Sequence, residues 1–83
     1  MQLVITRAAQ KQLRAIPRDD ARRLVEALQS VADRHPERLG YVTEIVGRSG
    51  AWRARKGNYR AIYRVTKDTI EVLAIGNRKD IYE

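Results

Sequence analysis

Gly57-Asn58 is the dipeptide that most constrains this chain. It lies inside Trp52-Arg53-Ala54-Arg55-Lys56-Gly57-Asn58-Tyr59-Arg60-Ala61-Ile62-Tyr63-Arg64, which reads as two strands joined by a tight hairpin turn. A two-residue loop sets one register. Lys56 then pairs with Tyr59, Arg55 with Arg60, Ala54 with Ala61, Arg53 with Ile62 and Trp52 with Tyr63. Side chains alternate between faces, so one face carries Arg53, Arg55, Arg60, Ile62 and Arg64. The other carries Trp52, Ala54, Ala61, Tyr63 and the stem of Lys56, and is expected to be core. The stretch holds five basic residues and no acidic one. Its basic face sets guanidinium against guanidinium, and like charges directly opposite destabilise a sheet. Stability alone gives no reason for that arrangement, whereas a bound anion would relieve it. The planar fork of arginine suits phosphate. A solvated strand face is the ordinary explanation of any single arginine here. Three of them on a register pinned by the turn, behind a uniformly apolar or small face, point to a ligand.

Composition narrows the class of ligand. The net charge is +7 and the pI about 10.4, which favours a polyanion: nucleic acid first, an anionic membrane surface second, an acidic protein third. With 83 residues, 33% charged and 43% hydrophobic, one soluble domain over 1–83 is expected. There is no cysteine and only one histidine, His35. This removes thiolate metal sites, disulfides and most zinc constellations, so neither a metal nor a cofactor is expected. No apolar run approaches the length of a membrane span. Met1-Gln2-Leu3-Val4-Ile5 lacks the features of a signal peptide, and a cytoplasmic protein follows as the expectation.

Along the chain, residues 1–5 read as a short, well-covered strand. Thr6 caps a helix over about 7–16, with Ala9, Leu13 and Ile16 as its apolar stripe. Pro17 ends it. A second helix starts near Pro17 or Arg18, with Asp19 and Asp20 in its first turn. Its stripe of Ala21, Leu24, Val25, Leu28, Val31 and Ala32 is the strongest periodic signal in the chain. His35 reads as a partner of the helix dipole, and Pro36 stops the helix. Residues 41–46 suit a short extended segment, and 47–50 a turn. After the hairpin, Thr69–Ile75 is expected to be a central strand alternating Ile70, Val72 and Ala74 with Glu71, Leu73 and Ile75, broken by Gly76-Asn77. The fold class is α+β, β-α-α-β-β-β with three or four strands after the helices, and a two-helix hairpin on one face of a largely antiparallel twisted sheet.

Laid out in this way, the chain resembles the RelE/ParE toxin superfamily over nearly its whole length. The resemblance rests on three places: the opening strand and helix ending at Ile16-Pro17; Trp52 to Tyr63, close to W-R-x-R-x-G-D-Y-R-x-x-Y; and Ile75-Gly76-Asn77-Arg78-Lys79-Asp80-Ile81-Tyr82, close to I-G-H-R-x-x-V-Y. It implies the toxin of a type II toxin–antitoxin pair, acting as a ribosome-associated endoribonuclease that cuts mRNA without metal. Carried over by position, its catalytic groups are Arg53, Arg55, Arg60, Arg78 and Tyr82. Lys56, Arg64 and Lys79 are expected to bind the RNA backbone. Tyr82 is the general-base candidate, because Arg78 and Arg60 nearby would favour its phenolate. Arg53 and Arg55 stand where some relatives carry lysine. Trp52, Tyr59 and Tyr63 are expected to pack rather than to stack on bases. The partner implied is an antitoxin that lays an acidic or amphipathic segment over the basic groove. Two other readings stay open at this point: a ParE-like inhibitor of DNA gyrase without nuclease activity, and a passive nucleic-acid-binding module.

Overall fold

The computed structural model describes residues 1–47 and 50–77. Their elements run β1 (Gln2–Ile5), α1 (Arg7–Arg14), α2 (Arg18–Arg34), β2 (Val42–Glu44), β3 (Ala51–Lys56), β4 (Tyr59–Val65) and β5 (Thr69–Asn77). The five strands form one sheet in the order β1-β5-β4-β3-β2. β1 runs parallel to β5, and every other pairing is antiparallel. Four strands follow the helices, the fourth being the short β2.

Local chemistry sets the helix ends. The Thr6 hydroxyl accepts from the Ala9 N–H (3.3 Å) and donates to the Val72 carbonyl (2.8 Å), so one side chain caps α1 and ties it to β5. α1 stops at Arg14, two residues short of the expected end, with Ala15 as its C-cap. Pro17 is the N-cap of α2 and His35 its C-cap, as the two prolines dictate. Leu24, Leu28 and Ala32 of α2 and Ala9 of α1 are fully buried against Ala54, Ala61, Ile70 and Val72. Both helices therefore cover one face of the sheet.

Two expectations about strands are corrected. β1 is an edge strand rather than a well-covered one. Its Leu3 and Ile5 reach the core, but Val4 on the outer face is 37% exposed. β5 does not alternate without interruption. Ile62 pairs with Ala74 while the adjacent Tyr63 pairs with Val72, which leaves Leu73 as an extra residue in a β-bulge. Ile70, Val72 and Ile75 therefore all face the helices, and Glu71, Ala74 and Gly76 face outward. Gly76-Asn77 belongs to β5, paired with Arg60 and Tyr59. The ladder from β4 overrides the breaking tendency of the glycine.

Candidate nucleic-acid interface

The hairpin has the register that Gly57-Asn58 dictates: Arg55 opposite Arg60, Ala54 opposite Ala61, Arg53 opposite Ile62, Trp52 opposite Tyr63 and Lys56 opposite Tyr59. Gly57 takes φ +61°, a left-handed conformation that glycine adopts without steric cost. Ala54 and Ala61 are fully buried and Tyr63 nearly so, which orients the alternate set of side chains away from the helices. Arg53, Arg55 and Arg60 are thus brought together on the outer face near the turn. Arg55 and Arg60 face each other directly, with roughly 5 Å expected between the Cβ atoms of such a pair. The Nε atoms of Arg53 and Arg60 are out of solvent, so their stems lie along the sheet.

Small residues flank the three arginines. Gly76 lies opposite Arg60 on the far side of β4, and Ala74 opposite Ile62. Thr43 lies opposite Arg53 on β2. Sequence reading missed Gly76 and Thr43 as neighbours of the site. A glycine inside a strand is the available signal for the first, since it marks a close approach of backbone or ligand. Below the arginines a small apolar cluster of Ile45, Ala51 and Ile62, with Ala74 packed on it, forms the floor of this face.

The other expected cations divide. Arg64 shares the face but lies beyond the Ile62–Ala74 row, and its guanidinium donates to Glu71 at 2.7 Å. Lys56 lies on the opposite face from Arg53, Arg55 and Arg60, where the register puts its stem. Its ammonium sits 5.4 Å from the Tyr41 ring centroid on the helix side of the sheet. There it lines a cleft with Arg23, Ser30 and Arg34 of α2. The alternation of the strand requires this, because Lys56 follows Arg55. Arg78, Lys79 and Tyr82 lie outside the described residues.

The aromatics pack, as expected. Trp52 is half-buried on the helix side, with the Arg38 guanidinium 5.4 Å from its ring. Tyr59 lines an open cavity of about 410 Å³ with Gln12, Ile16 and Asn77, at the end of α1. Tyr63 is 2% exposed. Its phenol is pushed up to about 12, chiefly by burial and then by the Tyr41 phenol, with Arg38 acting in the opposite sense. An unfolded chain ionises tyrosine near 10. The folded state therefore holds this proton more tightly, and its contribution to stability is complete below pH 10 and lost as the pH rises through about 12. Thermal melts in that window are expected to fall less steeply for Tyr63→Phe than for the native chain; parallel curves would show that Tyr63 is not the group responsible.

Among the described residues no three of His, Cys, Asp and Glu gather into a group that could hold a metal ion. No described helix is long and apolar enough to cross a membrane.

Comparison with known proteins places this geometry. Residues 3–82 match the family model described as the ParE toxin of the type II toxin–antitoxin system parDE. No curated protein matches the chain. Among solved structures, a chain of the archaeal RelE–RelB complex from Pyrococcus horikoshii OT3 is 27% identical. The match covers 96% of this chain and 97% of that one, with a TM-score of 0.76. A chain of the toxin–antitoxin complex RelBE2 of Mycobacterium tuberculosis is 26% identical, over 93% and 96% of the two chains, with a TM-score of 0.75. The isolated RelE toxin of E. coli shares the fold at 20% identity and a TM-score of 0.77, over 92% of this chain and 82% of that one. With the match running through both helices, the hairpin and β5, the chain belongs to the ParE toxin family, within the RelE/ParE superfamily of type II toxin–antitoxin toxins.

Proposed function

We propose that this toxin is a metal-independent endoribonuclease that cuts mRNA on the ribosome, with Arg53, Arg55 and Arg60 as its phosphate-binding and charge-stabilising groups. The observation that carries the reading is the meeting of these three side chains on one sheet face at a pinned register, together with the likeness to RelE–RelB structures. In this reading the RNA 2′-hydroxyl attacks the adjacent phosphorus. Its proton goes to the base, the O2′–P bond forms, the P–O5′ bond breaks, and the departing O5′ takes up a proton. The products are a 2′,3′-cyclic phosphate and a 5′-hydroxyl. The protein must hold the nucleophile in line and stabilise charge on the phosphorane. Fixed guanidiniums suit the second task, and a half-buried stem such as that of Arg60 loses little freedom when the anion arrives. Arginine stays protonated at all working pH values and is a poor proton shuttle. The base is therefore assigned to Tyr82, assisted by Arg78. Lys56 faces the helix layer, so protonation of the leaving oxygen falls to no lysine of the hairpin.

The partner proposed is an antitoxin whose acidic or amphipathic segment covers the arginine face, in keeping with the RelB-bound state of the relatives. The family model favours a second reading, a ParE-like inhibitor that traps DNA gyrase through a protein interface. Purified protein added to translating ribosomes, and separately to gyrase with supercoiled DNA, separates the two. Cleaved message is expected. Intact message with trapped gyrase would assign the chain to the inhibitors, and neither effect would leave a passive binder. In the same ribosome assay, Tyr82→Phe is expected to slow cleavage far more than it weakens RNA binding. Undiminished cleavage would remove the phenol from the chemistry.

A further inference from the structure

The first 18 residues contain no aspartate or glutamate, yet they hold Arg7, Lys11, Arg14 and Arg18. Within α1 the first three fall at i, i+4 and i+7. At 3.6 residues per turn they occupy an arc of roughly 60° and about 10 Å of helix length. All three are exposed. The opposite side of α1 is the one that packs: Ala9 is fully buried, and Leu13 and Ile16 lie against the core. Three exposed arginines elsewhere are compensated by carboxylates. Arg22 lies between Asp19 and Glu26, Arg34 donates to Glu37, and Arg64 donates to Glu71. Among the described residues no carboxylate reaches Arg7, Lys11 or Arg14. Like charges at i and i+4 destabilise a helix, so this ridge, like the paired arginines of the hairpin, is a local cost that a polyanion would relieve. It lies on the helix layer, behind the sheet from Arg53, Arg55 and Arg60.

The chemistry of the ridge selects its occupant. An anionic membrane needs large apolar groups beside the cations. Those of α1 are turned to the core, and the large exposed apolar residues of the described chain, Val4 and Val46, lie elsewhere. A protein interface is organised around aromatic or apolar anchors with lysine depleted, and the exposed apolar residues beside the ridge are only Ala8 and Ala15. Single-stranded RNA is held by stacking on aromatic side chains, and α1 has none. Contact with the sugar–phosphate backbone of a folded helix requires neither stacking nor base edges.

We infer that the α1 ridge of Arg7, Lys11 and Arg14 is a second RNA-binding surface, one that takes the phosphate backbone of double-stranded RNA. The choice of RNA rests on the ribonuclease reading above. The toxin then grips two RNA segments from opposite layers: a folded one behind α1, and the strand to be cut on the arginine face.

The test is equilibrium binding of a blunt RNA duplex across a salt series, which needs no cleavage. Arg7→Gln/Lys11→Gln/Arg14→Gln should fold as the native chain does, because its changes are exposed. It is expected to bind the duplex more weakly and to lower the slope of log affinity against log salt by about 2 to 3, at roughly 0.9 per lost phosphate contact. Arg53→Gln/Arg55→Gln, on the face proposed for the strand to be cut, is expected to lower the slope for the duplex by less than the triple variant does. An unchanged slope in the triple variant, or loss of duplex binding confined to the sheet variant, would overturn the inference. Message left intact on ribosomes would defeat the ribonuclease reading and still leave this slope to be read.

Discussion

Arg60→Ala is expected to lower mRNA cleavage by roughly 10² to 10³, the loss typical of removing one fixed donor from a developing oxyanion. Arg60 stands between Arg55 on β3 and Gly76 on β5, so it occupies the middle of the proposed phosphate site. Two structural effects of the substitution oppose each other. The stem of Arg60 packs along the sheet and its Nε is out of solvent, so truncation loses contact. Removing one of two facing like charges relieves repulsion of similar size, about 0.2–1 kcal/mol for a cross-strand pair. The net change in stability should therefore lie within about 1 kcal/mol, or about 4–8 °C in Tm for a domain of this size. Arg60→Lys should recover part of the rate, since a point charge stabilises the anion without the two-pronged geometry of guanidinium. Single-turnover cleavage on ribosomes and a thermal melt are the two readings. Full activity in Arg60→Ala, or an unfolded protein, would remove the residue from the proposed site.

Leu28→Ala carries the largest expected cost in stability. Leu28 is fully buried in α2, in one cluster with Ala54, Ala61 and Tyr63, the inward side chains of the hairpin that presents the arginines. Burying alanine in its place loses transfer free energy and leaves a cavity, which together cost about 2–5 kcal/mol. That is a large share of the 5–15 kcal/mol that holds an ordinary domain together. At about 4–8 °C per kcal/mol, the melting temperature should fall by at least about 8 °C. Below the new melting point the cleavage rate should stay close to native, because Leu28 belongs to the helix-side cluster and Ile45, Ala51 and Ile62 of the outer face form a separate one. A melting temperature within 2–3 °C of native, below the shift expected for even 1 kcal/mol, would show that the α2–hairpin contact is not the keystone of the core. A lost rate in a folded variant would show that helix packing positions the arginines.

These two outcomes rest on features of unequal legibility. The hairpin could be read residue by residue, because Gly57-Asn58 leaves one register and period-2 alternation then fixes every side chain. The α2 stripe was legible for a similar reason: six apolar residues at helical spacing admit one buried face. Lys56 shows the same parity at work inside a run of charge. It belongs to a basic run, yet parity sends it to Tyr41 on the helix side. β1 was misjudged because three apolar residues in a row suggest cover on both sides, whereas Val4 simply lies on an open edge. Gly76-Asn77 was read as a break, since glycine weakens a strand in isolation; pairing with Tyr59 and Arg60 exists only in the assembled sheet. Arg78 and Tyr82 entered through family likeness, and they remain part of the proposal.

The unpaired Leu73 has a consequence for how this toxin can vary. Upstream of it, even-numbered residues of β5 look inward; downstream, odd-numbered ones do. Deleting that single position would close the bulge into plain alternation, Val72 inward, Ala74 outward, Ile75 inward and Gly76 outward, and so keep both surfaces of the strand. The extra residue is slack between the half of β5 that welds the domain together and the half that borders the proposed cutting groove, so the strand can lose one residue there without turning either face over.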